Sequence, residues 1–212
     1  AGRSLDRGRR RLLLGLGGLV VGGVAGVVSK ARAGQELLRP PGAADEARFV
    51  SRCIGCGACL AGCPSGGLRP MLALDRLEAA FSPRLVPRIG PCLPDCAACG
   101  TACPTGAIAR LSLEQKLAVR IGLAVIDQTL CLPWASRQRC VICLDACPPQ
   151  WHAIELRRVG PAEFRPFVEP SRCTGCGICE HRCPVEGEAA VRVLPFGSSA
   201  RGKDIVSLGA KA

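Results

Sequence analysis

The spacing Cys-x2-Cys-x2-Cys-x3-Cys-Pro, written by Cys53, Cys56, Cys59, Cys63 and Pro64, constrains this chain more than any other feature, because it recurs. Cys173, Cys176, Cys179, Cys183 and Pro184 repeat it unchanged, and Cys92, Cys96, Cys99, Cys103 and Pro104 widen the first gap by one residue. Another copy opens with a long gap, from Cys131 to Cys140, Cys143, Cys147 and Pro148. The four copies use all sixteen cysteines.

Three thiolates at two-residue intervals on a tight, Gly-containing loop can converge on three corners of one 4Fe-4S cubane. The fourth cysteine opens a helical segment, points away, and in the bacterial ferredoxin pattern ligates the other cluster of a pair. Proline is accepted just after it because a first-turn position needs no backbone donor. Structural zinc also takes four cysteines, but usually as two separated Cys-x2-Cys pairs rather than one short run. A disulfide framework would suit an even cysteine count in an exported chain, yet it gives no reason for four near-copies each ending in Cys-Pro. Sixteen cysteines in four such runs therefore predict four 4Fe-4S clusters.

With an aromatic content of 3% and no tyrosine, the 212 residues cannot build a conventional aromatic-rich core. Metal ligation is expected to supply the missing folding free energy. The net charge of +11 invites a nucleic-acid partner, but residues 1–33 hold seven Lys/Arg against one Asp. Four oxidised clusters with their thiolates bring the remaining +5 to about −3, and no aromatic stacking surface is present, so nucleic acid is excluded as a partner.

Residues 1–33 contain Arg9-Arg10-Arg11, an apolar Gly-rich run from Leu12 to Val28, and Ala31-Arg32-Ala33, the pattern of a twin-arginine signal with a cleavage site or, uncleaved, an N-terminal anchor. That route carries folded proteins, as a cofactor inserted in the cytoplasm requires. Residues 34–48 read as an extended linker around Arg39-Pro40-Pro41-Gly42. Met71 to Phe81 carries apolar residues at helical spacing and predicts one amphipathic helix stopped by Ser82-Pro83. Strands are expected over 107–111, 123–126, 153–159, 164–168 and 189–194, and Ser112 with Gln115 forms a capping box for a short helix through Val119. The Gly/Ser/Lys-containing tail 197–212 is expected to be flexible, or ordered only on a partner.

The fold expected is α+β, a ferredoxin-like polyferredoxin of two bis-4Fe-4S units. The first and last motifs in the chain are nearly identical, Arg52-Cys-Ile-Gly-Cys-Gly-Ala-Cys against Arg172-Cys-Thr-Gly-Cys-Gly-Ile-Cys, and the middle two are irregular. This suggests nesting, with 49–90 and 161–196 as the two halves of an outer unit and 91–160 as an inner one. Cys53, Cys56 and Cys59 would then share a cluster with Cys183, and Cys173, Cys176 and Cys179 one with Cys63. Cys92, Cys96 and Cys99 would go with Cys147, and Cys131, Cys140 and Cys143 with Cys103. Sequential pairing of neighbouring motifs is the alternative; a cluster shared by Cys63 and Cys92 decides for it.

On these residues the chain resembles the NapG/MauM family of periplasmic ferredoxin-type proteins. The likeness rests on the arginine leader, the Leu38-Arg39-Pro40-Pro41-Gly42-Ala43 segment, the four motifs in order and the Cys131 to Cys140 gap. The Cys-x3-Cys-x2-Cys spacing of the second motif departs from the NapG pattern and makes the likeness more MauM-like. The resemblance implies four 4Fe-4S clusters relaying electrons between a membrane quinol-oxidising iron–sulfur partner of the NapH type and a periplasmic redox enzyme or carrier. It places the protein in the periplasm or at the outer face of the cytoplasmic membrane, attached through its partner or its uncleaved leader. The nested pairing also resembles the four-cluster subunits of membrane molybdenum oxidoreductases.

No nucleophile arrangement, phosphate loop or dinucleotide fingerprint is present, so no catalytic site is expected. His152 and His181 are the only histidines; Trp134 lies in the eight-residue insertion between Cys131 and Cys140, and Trp151 follows Pro148-Pro149. For these the expected roles are an exposed helix position for His181 and shielding of a cluster for the tryptophans. The functional expectation is an electron carrier; an iron–sulfur subunit of a larger membrane-associated oxidoreductase is the alternative, and a zinc-binding structural module a weaker one.

Overall fold

A computed structural model of the chain describes residues 37–43, 45–72 and 77–196. The leader of 1–33 and the tail of 197–212 lie outside the described residues, as does the centre of the helix expected over Met71 to Phe81. What is described of that last segment is a single 3-10 turn, Leu77–Ala79, inside a hairpin. Met71 donates its N–H to Ser82 and accepts from Phe81, which closes the loop between β1 (Leu68–Pro70) and β2 (Pro83–Leu85). Of the apolar residues in that segment, Met71 is fully buried and Phe81 is 60% exposed.

Three two-stranded antiparallel sheets and short helices make up the described chain. Helix α1 (Glu46–Arg52) is capped by Asp45 and leads into the first cysteine loop. Helices α2 (Ala58–Ala61) and α3 (Ala98–Ala102) follow the loops of the first two motifs and lie side by side. Contact is close because small residues meet: a Cβ on Gly62 would stand 3.3 Å from that of Ala102. Helices α6 (Ile142–Asp145) and α7 (Ile178–Arg182) form the corresponding pair in the second half. Between the members of each pair runs a hairpin, β1–β2 in the first and β4 (Ile154–Arg158) with β5 (Phe164–Val168) in the second. Hairpins close locally at small entropic cost and return each chain to the helix it has just left.

The capping box on α4 (Leu113–Ala118) is present as expected, with Ser112 and Gln115 each bonding the other's backbone. Strand β3 (Gly122–Ile126) pairs along its whole length with β6 (Val191–Pro195), from Gly122 opposite Pro195 to Ile126 opposite Val191. This sheet ties the middle of the chain to its end. The strand expected over 107–111 does not form; Ala107 and Ile108 are buried in a bend, and Ala109 donates to the carbonyl of Gly42. A two-residue apolar stretch was enough to fill the core without a ladder partner.

Residues 37–43 are a packed strap rather than an extended linker: Leu38, Arg39, Pro40 and Ala43 are buried. Arg39 grips Glu46 with two hydrogen bonds of 2.8 and 2.6 Å and reaches the Ser82 hydroxyl and the Pro83 carbonyl at 3.0 and 2.6 Å. Its guanidinium lies 4.7 Å from the centre of the Phe49 ring. A planar fork can serve three partners at once, which explains why a charged residue occupies a core position. Replacing Arg39 with Met is expected to cost about 2 kcal/mol and to lower the thermal midpoint by roughly 4–8 °C. A calorimetric scan showing no shift would mean that apolar contact alone holds the strap.

Candidate metal centres

The cysteine loops owe their shape to backbone geometry at the residue before each helix. Gly57 and Gly177 take left-handed conformations, φ 76° and 79°, at the N-caps of α2 and α7, which L-residues with side chains seldom adopt. Ala97 and Val141 occupy the same place before α3 and α6 with φ −125° and −127°. Each half of the protein therefore combines one glycine-capped loop with one that is not.

The loops bring the thiols together in four sets. Cys53, Cys56 and Cys59 share a cavity with Cys103. Cys92, Cys96 and Cys99 share one with Cys63, and Cys131, Cys140 and Cys143 with Cys183. Cys173, Cys176 and Cys179 stand with Cys147, which acts electrostatically on both Cys176 and Cys179.

This arrangement overturns the nested grouping of the motifs. Cys103 rather than Cys183 completes the Cys53 set, Cys63 rather than Cys147 the Cys92 set, Cys183 rather than Cys103 the Cys131 set, and Cys147 rather than Cys63 the Cys173 set. The unit boundaries move accordingly, to motifs one with two and three with four. The reason is the pair of hairpins, which fold each motif back on the next. Likeness between the first and last motifs reflects their shared glycine-capped loop, not a shared set.

The thiol chemistry fits a group carrying positive charge. Burial, joined by repulsion from neighbouring thiolates, pushes Cys59 up to about 11 and Cys99 up to about 12. The same causes raise Cys131 and Cys176 to about 11, Cys143 to about 12, and Cys179 well above the ordinary thiol range. Four such groups cannot ionise side by side without a cation among them. Among the described residues no three His, Cys, Asp or Glu side chains form a site for a single ion.

The fourth cysteines of the first two motifs behave differently, and for a local reason. Burial alone would raise Cys63 and Cys103, but hydrogen bonds outweigh it and lower both. The Ser65 hydroxyl lies 3.4 Å from Cys63 Sγ, and Ile108 N–H donates to Cys103 Sγ at 3.4 Å with the Thr105 hydroxyl at 3.7 Å. Cys-Pro-Ser-Gly and Cys-Pro-Thr-Gly thus form small anion cradles, a repeat visible in the sequence. Backbone donors also reach Cys147 from Ala153 at 3.3 Å and Cys173 from Ala124 at 3.4 Å. Such bonds tune the potential of a cluster.

Lys116 carries no signal in the sequence, yet it is 5% exposed and stands beside Cys92, where its charge opposes the upward push of burial on that thiol. Its Nζ donates to the Leu93 carbonyl. His181 is exposed, with Nδ1 3.3 Å from the Arg88 carbonyl, and His152 is also exposed. Trp134 donates to the Pro166 carbonyl and meets Phe167 edge-on at 5.3 Å, while Trp151 donates to the Leu117 carbonyl. Both tryptophans brace strands and helices. Glu180 accepts from Val193 N–H at 2.6 Å, and burial raises its pKa.

Paired helices, hairpin returns and crossed fourth cysteines define an iron–sulfur protein of two dicluster units. Residues 52–107 and 136–186 match the 4Fe-4S dicluster domain family, the first match spanning motifs one and two and the second spanning motifs three and four except Cys131. The chain is 40% identical to the ferredoxin-type protein NapG of Escherichia coli over 93% of its length and 90% of that relative's. It is 38% identical to the methylamine utilization ferredoxin-type protein MauM of Methylorubrum extorquens, over 84% of this chain and 82% of that one. Another MauM, from Methylophilus methylotrophus, is 40% identical over 75% and 71% of the two chains. The chain belongs to the NapG/MauM family of ferredoxin-type proteins. Identities this similar do not separate a MauM-like from a NapG-like branch. Two dicluster matches and sixteen cysteines fit four 4Fe-4S clusters, and the protein is an iron–sulfur electron carrier.

Two measurements test this assignment. Cys63→Ser and Cys96→Ala, alone or combined, are each expected to lose about four irons per chain. Combining Cys63→Ser with Cys176→Ala should lose about eight; a loss of only four there would restore the nested grouping. Lys116→Met is expected to lower the potential of the centre held by the Cys92 set, because a nearby positive charge favours the reduced form. An EPR-monitored redox titration that leaves this potential unmoved would remove Lys116 from that role.

Proposed function

We propose that the protein relays electrons in the periplasm through four 4Fe-4S centres, between a membrane quinol-oxidising iron–sulfur partner of the NapH type and a periplasmic redox enzyme or carrier. The observation that carries this reading is that all sixteen cysteines fall into four sets, so that the chain's chemistry is spent entirely on ligands. Cys53, Cys56, Cys59 and Cys103 would hold one centre, and Cys92, Cys96, Cys99 and Cys63 a second. Cys131, Cys140, Cys143 and Cys183 would hold a third, and Cys173, Cys176, Cys179 and Cys147 the fourth. When bound, the clusters supply one-electron redox chemistry; the chain's residues ligate them, exclude water and set their potentials.

The carrier has no substrate site of its own in this reading. Export in folded form by the twin-arginine route, from the Arg9-Arg10-Arg11 leader, brings an already loaded protein to its partners. Among the described residues no helix is long and apolar enough to cross a membrane, so attachment would come from a partner or the leader. A permanent place in a larger oxidoreductase is the second reading, favoured by Ile54 and Phe81, 69% and 60% exposed where they line the Cys53 set. Unpartnered apolar side chains at a redox centre suit a lasting contact.

The deciding experiment is iron and acid-labile sulfide per chain on anaerobically purified protein, with the reduced-state EPR spectrum. About sixteen of each with interacting cubane signals is the expected result; zinc without sulfide would overturn the relay. Arg9→Lys with Arg10→Lys is expected to leave loaded protein in the cytoplasm, and normal export of that variant would rule out the twin-arginine route.

A further inference from the structure

Cysteines of the two dicluster units are in contact where the second motif meets the fourth. Cys92 N–H donates to the Cys176 carbonyl at 2.8 Å, and the thiolate of Cys92 acts on that of Cys176. Within the first unit, Cys59 of one set acts on Cys99 of the other; within the second, Cys143 acts on Cys179. The Cys92–Cys176 hydrogen bond and the α2–α3 and α6–α7 helix pairs link the four sets in the order Cys53 set, Cys92 set, Cys173 set, Cys131 set. The middle step is the only one that crosses between units, and it depends on how a short loop of the first unit sits on the second.

Arg88 controls that seat. It lies four residues before Cys92, and its Nη1 donates to the Cys183 carbonyl at 2.7 Å and the Glu180 carbonyl at 3.2 Å. Nη2 reaches the Val185 carbonyl. These carbonyls belong to the last turn of α7 and the residues just after it, where a positive charge is favoured; that of Glu180 also accepts from the Cys183 N–H at 3.3 Å. The contact is reinforced from both sides. His181 Nδ1 approaches the Arg88 carbonyl at 3.3 Å, and Gly177 leaves space for Pro87, which a Cβ would meet at 2.4 Å. A guanidinium serves three carbonyls that an ammonium could not reach together.

We infer that Arg88 is a positioning residue that latches the first dicluster unit onto the end of α7 and thereby sets the Cys92–Cys176 contact through which electrons pass between units. The inference rests on the relay reading, because it assigns the contact a role in electron transfer. Tunnelling falls steeply with distance, so a latch that holds two centres in register acts on rate without touching either one.

The test uses the loaded full chain with Arg88→Met and Arg88→Lys. Hydrogen exchange of the peptide spanning 88–96 is expected to rise at least tenfold in Arg88→Met, since the Cys92 amide loses its held acceptor, with partial recovery in Arg88→Lys. The peptide covering α4 should exchange as in the parent, which a general loss of stability would not allow. In the fully reduced protein the inter-unit part of the dipolar EPR coupling should weaken, while iron stays at the parental value. Parental exchange and coupling in Arg88→Met would overturn the inference. So would loss of iron in both variants, which would make Arg88 an assembly residue for the Cys183 set. A parent protein without iron and sulfide would fail the relay reading instead, before any variant is compared.

Discussion

Everything in this molecule answers to the repulsion among buried sulfur atoms. Burial, joined by repulsion from neighbouring thiolates, pushes several of these thiols up to about 11 or 12. A fold that concentrates such groups is stable only with a cationic centre in each set, so ligation and folding are one event. This explains the sparse core: Phe49, Met71 and Ile108 are among its few fully buried large side chains, and the remaining interior is mostly small residues and cysteine. Where hydroxyl and amide donors gather, at Cys63 and Cys103, the balance tilts the other way and the thiols fall below their usual range. The same sulfur ligand is thus prepared differently at different corners of neighbouring sets.

Local closure decides which sets form. Within each dicluster unit one hairpin separates the two motifs, and it returns the chain so that the helix after it lies against the helix before it. A nested arrangement would have required the first and last motifs to meet across the whole chain, at the expense of both hairpins. Long-range closure is instead left to β3 with β6, whose five-residue register needs no cysteine to specify it.

Much of this was legible in advance. Ligand identity could be read because spacing and type coincide in every motif, and the Ser112 capping box and the strands at 123–126, 154–158 and 164–168 follow rules that act over a few residues. The pairing of motifs could not be read from their likeness, because likeness records loop conformation: Gly57 and Gly177 mark the same turn in different units. Arg39, Arg88 and Lys116 escaped notice for another reason. A basic residue in a chain of net charge +11 looks like surface until its acceptors are known, and those acceptors are mostly backbone carbonyls far away in sequence.

The equivalent positions Ile54 and Thr174 show how one motif can serve two purposes. Each follows the first cysteine of its motif, yet Ile54 is 69% exposed and Thr174 only 8%. The difference comes from what covers them. Thr174 accepts from Ile121 N–H at 2.9 Å, the adjacent Cys173 carbonyl accepts from Arg120, and the Pro87 loop closes over Gly177. No comparable cover lies over Ile54 among the described residues. At the other end of the file, Val141 and Ile142, just after Cys140, are 40% and 38% exposed. The segments packed on Thr174 cover the Cys173 set, while Ile54 and Ile142 leave apolar side chains at the surface beside the Cys53 and Cys131 sets. A single sequence motif thus becomes an interior station or a terminal one according to the segment that packs on it.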